Sequence, residues 1–194
     1  TQEPPEDYDA SVAYKVIRWP HRVMLPTPAT IRRMQEIIRQ EAIEVVWFGA
    51  AAPLALMGNA ARQAGARRVV ATTHGHEVGW SMVPLARQCL RLIGNSADVI
   101  TYISDYTQRR LRGAFGPRPE WAHLPSGVSL DSLSPATPAQ RAAAKAEFGV
   151  NGPTIVCISR LVPRKGQDQL LRAMPLVREE FPDAQLLLIG RGRY

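Results

Sequence analysis

The sequence predicts an α/β fold in which parallel strands alternate with helices. Short apolar runs of strand length recur along the chain, and between them lie longer segments whose apolar residues recur with helical spacing. Because such an alternation is typical of strand–helix–strand units, we expect parallel sheets with helices on both faces. The chain has 194 residues and is 45% hydrophobic, which is enough for one large or two small domains with real cores.

The elements of the first part of the chain follow from these patterns. Residues 12–19 alternate in polarity and predict a strand after a polar lead, residues 1–10. After a proline-rich connection, Ile31, Met34 and Ile38 have the helical spacing that predicts a helix. Apolar runs predict strands over 43–48, 68–72, 99–103 and 121–124. Helical spacing, an early proline at position 53 and an N-cap serine at position 104 predict helices over 29–41, 53–64, 82–93 and 104–115.

The second part begins after a segment rich in serine and proline, residues 125–138, which is typical of an inter-domain connection. Strands are predicted over 154–158 and 184–189, and helices over 139–148 and 167–180. We therefore divide the chain into a first α/β domain (1–125), a connection with its helix (126–150) and the start of a second α/β domain (151–194).

The composition restricts the class of protein and of partner. The formal charge of +7 and the isoelectric point of about 10.0 favour anionic partners. The arginines are spread over the chain, which argues against a dedicated nucleic-acid arm. Cys89 and Cys157 do not form a C-x-x-C pair, and no secretion signal or bilayer-spanning run is present, as in a cytosolic protein. The chain begins without methionine and stops just after a predicted strand, so we expect a fragment.

Chemically distinctive residues follow the predicted strands. Ligands of open parallel sheets bind beyond the carboxyl ends of the strands, where glycines let the backbone turn tightly or approach a ligand. We therefore expect a site that spans the two halves across a cleft. The residues at this edge are Gly49, His74, His76, Glu77, Gly127, Arg160, Lys165, Gly190 and Gly192.

Arg160 and Lys165 lie where a buried strand ends and a helix begins at Gln167. A helix start offers unpaired N–H groups and the positive end of a dipole. A guanidinium and an ammonium added there make a site for a diphosphate. The alternative is that both are solvated cations of a loop.

His74 is the best candidate for a group that touches the reacting centre. Thr72 and Thr73 deliver it at a strand end, and Gly75 lets the chain turn away at once. The alternative is a histidine that a nearby carbonyl satisfies and that has no chemical role. His76 and Glu77 either bind substrate or fix the loop.

Three short motifs resemble those of the retaining GT-B glycosyltransferases. Pro125-Ser126-Gly127-Val128 resembles the P-N-G-V-D turn of that family, with departures at Ser126 and Ser129. Ser159-Arg160-Leu161 with Lys165-Gly166 resembles its donor-phosphate loop, and Ile189-Gly190-Arg191-Gly192 its I-G-x-G turn. Within the family, residues 47–55, 73–81 and 159–167 resemble the actinobacterial GDP-mannose-dependent phosphatidylinositol monomannoside mannosyltransferases. The resemblance covers nearly the whole chain.

The resemblance implies a GT-B fold of two Rossmann-like domains with parallel sheets, both incomplete in this chain. The first domain would be the acceptor side, without its opening strand–helix unit, and the second the nucleotide-sugar donor side. The paired glutamates that hold sugar and ribose in the family would lie outside the chain. The 194 residues alone are therefore expected to be inactive.

The resemblance also implies roles and partners. Arg160 and Lys165 would bind the donor diphosphate, and His74 would lie by the sugar and the acceptor hydroxyl. The co-substrate would be GDP-mannose, with no cofactor and no essential divalent metal, since no D-x-D motif is present. The acceptor would be an anionic glycolipid rather than nucleic acid, and the protein would be cytoplasmic and peripheral at the inner face of the plasma membrane.

Competing functions stay open at this point. A metal-dependent hydrolase could use His74-x-His76, but the other histidines are only His21 and His123. A nicotinamide-dependent oxidoreductase would need a G-x-G-x-x-G after a first strand, and the chain has none there. A non-catalytic nucleotide-binding GT-B module is the remaining alternative.

Overall fold

The computed structural model describes residues 5–20, 23–130 and 134–192, and the chain divides into two compact units. The first unit is Thr1–Gly127 and the second is Val128–Tyr194. That the first unit is the acceptor side and the second the donor side stays a prediction.

The first unit contains a four-stranded parallel sheet. Its strands are β1 (Val45–Phe48), β2 (Arg68–Thr72), β3 (Val99–Tyr102) and β4 (Glu120–His123), and their order in the sheet is the order in the chain. Val46 pairs with Val69, and Ala71 pairs with Ile100. These side chains alternate with more exposed ones along each strand, as expected for one covered face. The α/β class with parallel strands is confirmed.

Helices connect these strands and precede them. They are α1 (Pro5–Ser11), α2 (Pro28–Gln40), α3 (Gly58–Gln63), α4 (Glu77–Ser81), α5 (Pro84–Ser96) and α6 (Asp105–Phe115). The predicted N-cap at Ser104 is confirmed, because its hydroxyl accepts the N–H of Thr107 at 3.3 Å. The predicted helix 53–64 is instead a 3₁₀ turn, Leu54–Met57, followed by α3.

One sequence-based expectation for this unit is wrong. Residues 12–19 form no strand, because the described part of the chain offers this segment no ladder partner, and α1 occupies the predicted polar lead. A sequential strand order with right-handed crossovers puts the connections from β1 to β4 on one face, where α5 packs against α3 and α6. On the other face, Trp47 is 59% exposed, whereas Thr72 and Thr101 are buried. Helices on this second face stay a prediction.

The core lies between this sheet and α5 and α6. Its fully buried large side chains are Leu90, Ile93, Ile100, Leu111 and Phe115. The two helices approach closely at Gly94, where an added Cβ would lie 1.9 Å from the carbonyl oxygen of Phe115. Arg62 and Asp98 form an ion pair of 2.6 Å, and the Asp98 carboxylate also accepts the N–H of Val69 at 2.8 Å. This pair fixes the start of β2 against the segment before β3.

The second unit contains α7 (Pro138–Glu147), β5 (Thr154–Ile158), α8 (Gln167–Glu180) and β6 (Gln185–Ile189). The strands pair in parallel, as expected, and α7 begins with a capping box between Thr137 and Gln140. A two-stranded sheet buries little: Val150 and Ala184 are buried, whereas Ile158 is 75% exposed. Both sheets are therefore incomplete Rossmann-like sheets.

Among the residues described, no helix has the length and apolar character needed to cross a bilayer. Cys89 and Cys157 are both free thiols.

Candidate active site

The loops that follow β1 and β2 meet at the carboxyl edge of the first sheet. The N–H of Ala51 donates to the carbonyl of Thr72 at 2.8 Å. His74 Nε2 lies 2.6 Å from the carbonyl oxygen of Gly49. The fold thus brings together Gly49 and His74, two predicted site residues that follow different strands and lie 25 residues apart in the chain.

This contact sets the tautomer of the neutral His74 ring. A carbonyl oxygen can only accept, so Nε2 carries the proton and donates it to Gly49. In the neutral ring, Nδ1 is then a hydrogen-bond acceptor. The side chain is exposed, so a substrate hydroxyl could reach that nitrogen. A carbonyl contact was also expected for a His74 without a chemical role. Here this contact orients the ring without blocking its second nitrogen.

Glu77 supports the same loop from inside. Its side chain is fully buried, and Oε2 accepts the backbone N–H of His74 at 3.1 Å. Oε1 makes no hydrogen bond with the described residues but lies 3.4 Å from His76 Nε2. A buried carboxylate is costly unless polar groups surround it, and the His74 N–H and the His76 ring are the groups placed against this one. The rings of His74 and His76 lie nearly parallel, with centroids 6.4 Å apart.

The backbone before and after His74 explains why the loop has this shape. Thr73 is fully buried, and its N–H and hydroxyl both donate to the carbonyl of Thr101, at 3.0 and 2.8 Å. Gly75 has a φ of 89°, a left-handed conformation in which a side chain would be strained. The strand end is thus held by β3, and the chain reverses direction directly after His74.

A row of polar side chains crosses the sheet beneath this loop. The Trp47 indole donates to the Thr72 hydroxyl at 2.7 Å, and the Thr101 hydroxyl donates to the same oxygen at 3.0 Å. Sequence patterns do not predict this row, because cross-strand neighbours are far apart in the chain. It ties together the ends of β1, β2 and β3.

An apolar cavity of about 660 Å³ lies beside β1 and extends to Gly49. Ile17, Trp19 and Met34 are part of its lining. Its cations, Arg18 and Arg33, are each ion-paired with a carboxylate. The cavity can therefore bury apolar groups of a ligand, and its lining cations are already engaged by carboxylates.

The second unit presents Arg160 and Lys165 on the loop between β5 and α8. Both side chains are exposed, and neither forms an ion pair with a carboxylate of the described residues. Gly166, with a left-handed φ of 71°, starts α8 without a side-chain cap. Two unpaired cations beside an uncapped helix start are suited to a polyanion.

Gln167 and Gly190 hold this loop in place. The Gln167 amide donates to the Ser159 hydroxyl at 2.7 Å and to the Arg160 carbonyl at 2.9 Å. An added Cβ at Gly190 would lie 1.8 Å from the carbonyl oxygen of Ser159, so only glycine fits. The N–H of Leu161 donates to the carbonyl of Arg191 at 3.0 Å. The G-x-G turn thus packs directly against the loop that bears the cations.

Gly49 and Gly127 show no such requirement. At Gly49 and Gly127 the backbone φ is not positive, and open space surrounds the position of an added Cβ. The tight-turn reason given for these glycines is therefore wrong for both. Gly192 lies at the end of the described residues, two residues after Gly190. A role of any of them toward a ligand stays a prediction.

A metal centre finds no support in the described ranges. Residues 5–20, 23–130 and 134–192 contain no group of three or more His, Cys, Asp or Glu side chains placed to hold a metal ion. The His123 ring lies tilted against the Tyr102 ring, with centroids 5.2 Å apart, and His21 lies outside the described residues. The hydrolase alternative therefore finds no further ligands for the His74-x-His76 pair among the residues that the structure describes.

The predicted site residues thus form two groups. Gly49, His74, His76 and Glu77 meet in the first unit. In the second unit Gly190 packs against the backbone of Ser159 and Arg160, and Lys165 follows on the same loop. The cleft that would join the two groups stays a prediction. The sequence missed Gln167 as a supporting residue, although Gln167 directly follows the Lys165-Gly166 motif.

Comparison with known families assigns both units. The family Glycosyltransferase Family 4 matches residues 1–132, and Glycosyl transferases group 1 matches residues 139–194. A GDP-mannose-dependent monoacylated alpha-(1-6)-phosphatidylinositol monomannoside mannosyltransferase of Corynebacterium glutamicum is 59% identical over 96% of this chain and 50% of its own length. GDP-mannose-dependent alpha-(1-6)-phosphatidylinositol monomannoside mannosyltransferases of Mycolicibacterium smegmatis and Mycobacterium tuberculosis are 53% and 50% identical, each over 97% of this chain. The chain spans about half the length of these curated relatives.

Solved structures agree on the fold. Anabaena HepE in complex with UDP-glucose superposes with a TM-score of 0.63 at 19% identity, over 84% of this chain and 43% of that one. Sucrose-phosphate synthase from Thermosynechococcus elongatus gives a TM-score of 0.63 at 19% identity, over 91% and 46%. At this identity the likeness establishes the fold alone, which is that of the GT-B glycosyltransferases.

Proposed function

The chain belongs to Glycosyltransferase Family 4, and from this premise we propose that the whole protein transfers mannose from GDP-mannose to a phosphatidylinositol mannoside. The observation that carries the proposal is identity of 50–59% over nearly the whole chain with enzymes that bear this activity in their names. Since the chain spans about half of those relatives, the activity is that of the full-length protein. The anomeric configuration would be retained.

Arg160 and Lys165 bind the diphosphate of GDP-mannose in this proposal. Their exposure, their lack of carboxylate partners among the described residues and the uncapped start of α8 support this role. In the transition state, negative charge grows on the departing GDP. Cations already in place stabilise that charge without having to reorganise.

His74 lies beside the transferred mannose and the acceptor hydroxyl in this proposal. Its Nε2 proton is committed to the Gly49 carbonyl, which leaves Nδ1 to accept a hydrogen bond from a substrate hydroxyl. His76 and Glu77 keep the loop in the geometry that presents this nitrogen. No protein nucleophile is assigned.

The reaction needs neither a cofactor nor an essential divalent metal in this proposal, because the two fixed cations perform the role of the ion. The acceptor is an anionic glycolipid, and the formal charge of +7 favours attraction to an anionic leaflet. The protein would therefore work in the cytoplasm, at the inner face of the plasma membrane.

A donor screen with the full-length protein tests the proposal. Transfer to phosphatidylinositol monomannoside is measured with GDP-mannose and with UDP-sugars, each with and without EDTA. We expect transfer from GDP-mannose that EDTA does not change. Transfer from UDP-sugars alone, loss of activity with EDTA, or GDP binding without turnover would each contradict the proposal. The 194-residue chain by itself is expected to bind GDP weakly, if at all, and to transfer nothing.

A further inference from the structure

The backbone of Arg160 is fixed by hydrogen bonds, although its guanidinium forms no ion pair or hydrogen bond with the described residues. The Arg160 carbonyl accepts the N–H of Val162 at 3.0 Å. The other polar group of the same peptide unit, the N–H of Leu161, donates to the carbonyl of Arg191 at 3.0 Å. The position from which the guanidinium extends is therefore set before any ligand arrives, as preorganised charge requires.

Gln167 supplies a side-chain contact to this backbone. Its amide nitrogen lies 2.9 Å from the Arg160 carbonyl oxygen and 2.7 Å from the Ser159 hydroxyl. A carbonyl oxygen can only accept, so the amide turns its N–H groups toward the loop and uses both of them. Gln167 begins α8 and follows Ser159 by eight residues, so these two hydrogen bonds close the loop between β5 and α8.

Lys165 is held by its own turn rather than by the Gln167 amide. It ends the 3₁₀ turn Pro163–Lys165, and its N–H donates to the carbonyl of Val162 at 3.0 Å. Among the described residues, the partners of the Gln167 amide are at the start of the loop and not at Lys165. The two cations thus depend on different contacts, and loss of the amide should displace Arg160 first.

We propose that Gln167 is a positioning residue for Arg160 in the binding of the donor diphosphate. It acts through the Arg160 carbonyl and sets where the guanidinium meets the anion. A guanidinium binds phosphate through N–H groups of fixed direction, so a small displacement of its backbone weakens the contact. The inference rests on the proposed function, and it adds the side chain that makes Arg160 effective.

Titration of the full-length protein with GDP tests the role of the amide. Gln167→Met keeps an unbranched side chain of similar length but cannot donate, and it should raise the Kd for GDP about tenfold. Ser159→Ala removes one of the two acceptors and leaves the Arg160 carbonyl in place, so it should raise the Kd about threefold. The matched control is Gln169→Met on α8, whose exposed amide donates to Asp168 at 3.0 Å. This control should bind GDP like the wild type.

Double-mutant cycles distinguish positioning of Arg160 from general support of the fold. In an Arg160→Ala background, Gln167→Met should change the Kd for GDP less than about twofold, because the group that it positions is gone. In a Lys165→Ala background, the full tenfold loss should remain. Ser159→Ala is measured in the same two backgrounds, so the cycle does not depend on one variant. Equal losses in both backgrounds, or wild-type affinity of Gln167→Met, would overturn the proposal.

Mannose transfer separates this inference from the proposed function. The kcat/KM for GDP-mannose, with phosphatidylinositol monomannoside as acceptor, should fall about tenfold in Gln167→Met, like the affinity for GDP. If the protein transfers no mannose but the GDP titrations couple Gln167 to Arg160, the proposed function fails and the positioning role stands. If mannose is transferred and Gln167→Met has wild-type affinity for GDP and wild-type kcat/KM, the positioning role fails alone.

Discussion

The two loops that carry the candidate chemistry are stabilised in opposite ways. In the first unit, the side chains around His74 are engaged by the protein itself: by the Gly49 carbonyl, by buried Glu77 and by His76. In the second unit, backbone contacts and Gln167 shape the loop, but the side chains of Arg160 and Lys165 form no ion pair or hydrogen bond with the described residues. One loop is complete without a ligand, and the other presents charge that a ligand would neutralise. Substitutions should therefore affect stability in the first loop and activity alone in the second.

The largest effect is expected from the free cations of the second unit. Arg160→Ala and Lys165→Ala in the full-length protein should each lower turnover of GDP-mannose about 10²–10³-fold, or roughly 2–4 kcal/mol, because a charge-assisted contact to the diphosphate is lost. The melting temperature should not change, since neither side chain has a partner to lose. The control is Arg172→Ala on α8, whose exposed guanidinium is 4.0 Å from Asp168. Wild-type kinetics in either test variant would remove this loop from the mechanism.

An intermediate effect, on stability, is expected from the first unit. Glu77→Ala should lower the free energy of unfolding by about 2 kcal/mol, because the N–H of His74 loses its acceptor at a fully buried position. Glu77→Gln keeps an acceptor oxygen there and should restore at least half of this loss. The measurement is chemical denaturation of the full-length protein and both variants. Equal stability of Glu77→Ala and the wild type would show that the carboxylate does not hold the loop.

The smallest effect concerns the response of the first unit to acid. Burial alone would raise the pKa of Asp98, but the N–H of Val69 and the Arg62 guanidinium outweigh it, so the pKa lies below its usual value. A carboxylate with a lowered pKa stabilises the fold fully above the pKa of the unfolded state. This contribution is lost as the pH falls below about 4 toward the folded-state pKa.

Asp98→Asn should therefore cost about 1 kcal/mol at neutral pH and flatten the loss of stability in acid. Unfolding midpoints between neutral and acidic pH measure this. Asp168→Asn in the second unit is the control, since its pairing with Arg172 is exposed and long, and it should leave the curve unchanged. An acid limb of the same slope in Asp98→Asn and the wild type would rule Asp98 out as its source.

Local patterns predicted most of the secondary structure. The bounds of β2, β5 and α8 are those that the sequence predicts, because apolar runs, helical spacing and flanking glycines act within a few residues. Residues 12–19 show where such reasoning fails. Alternating polarity indicates that a segment can be a strand, but a strand also requires a neighbour whose N–H and C=O groups are free.

The sequence by itself determined the α/β class, the family and the residue types of the candidate site, because motifs such as Arg160 with Lys165 are local. Only the tertiary structure decided which groups those residues contact. The Gly49 carbonyl that sets the His74 tautomer and the Thr101 carbonyl that holds Thr73 come from neighbouring strands. Such contacts depend on strand order and register, and these follow from packing over the whole sheet rather than from any short stretch of chain.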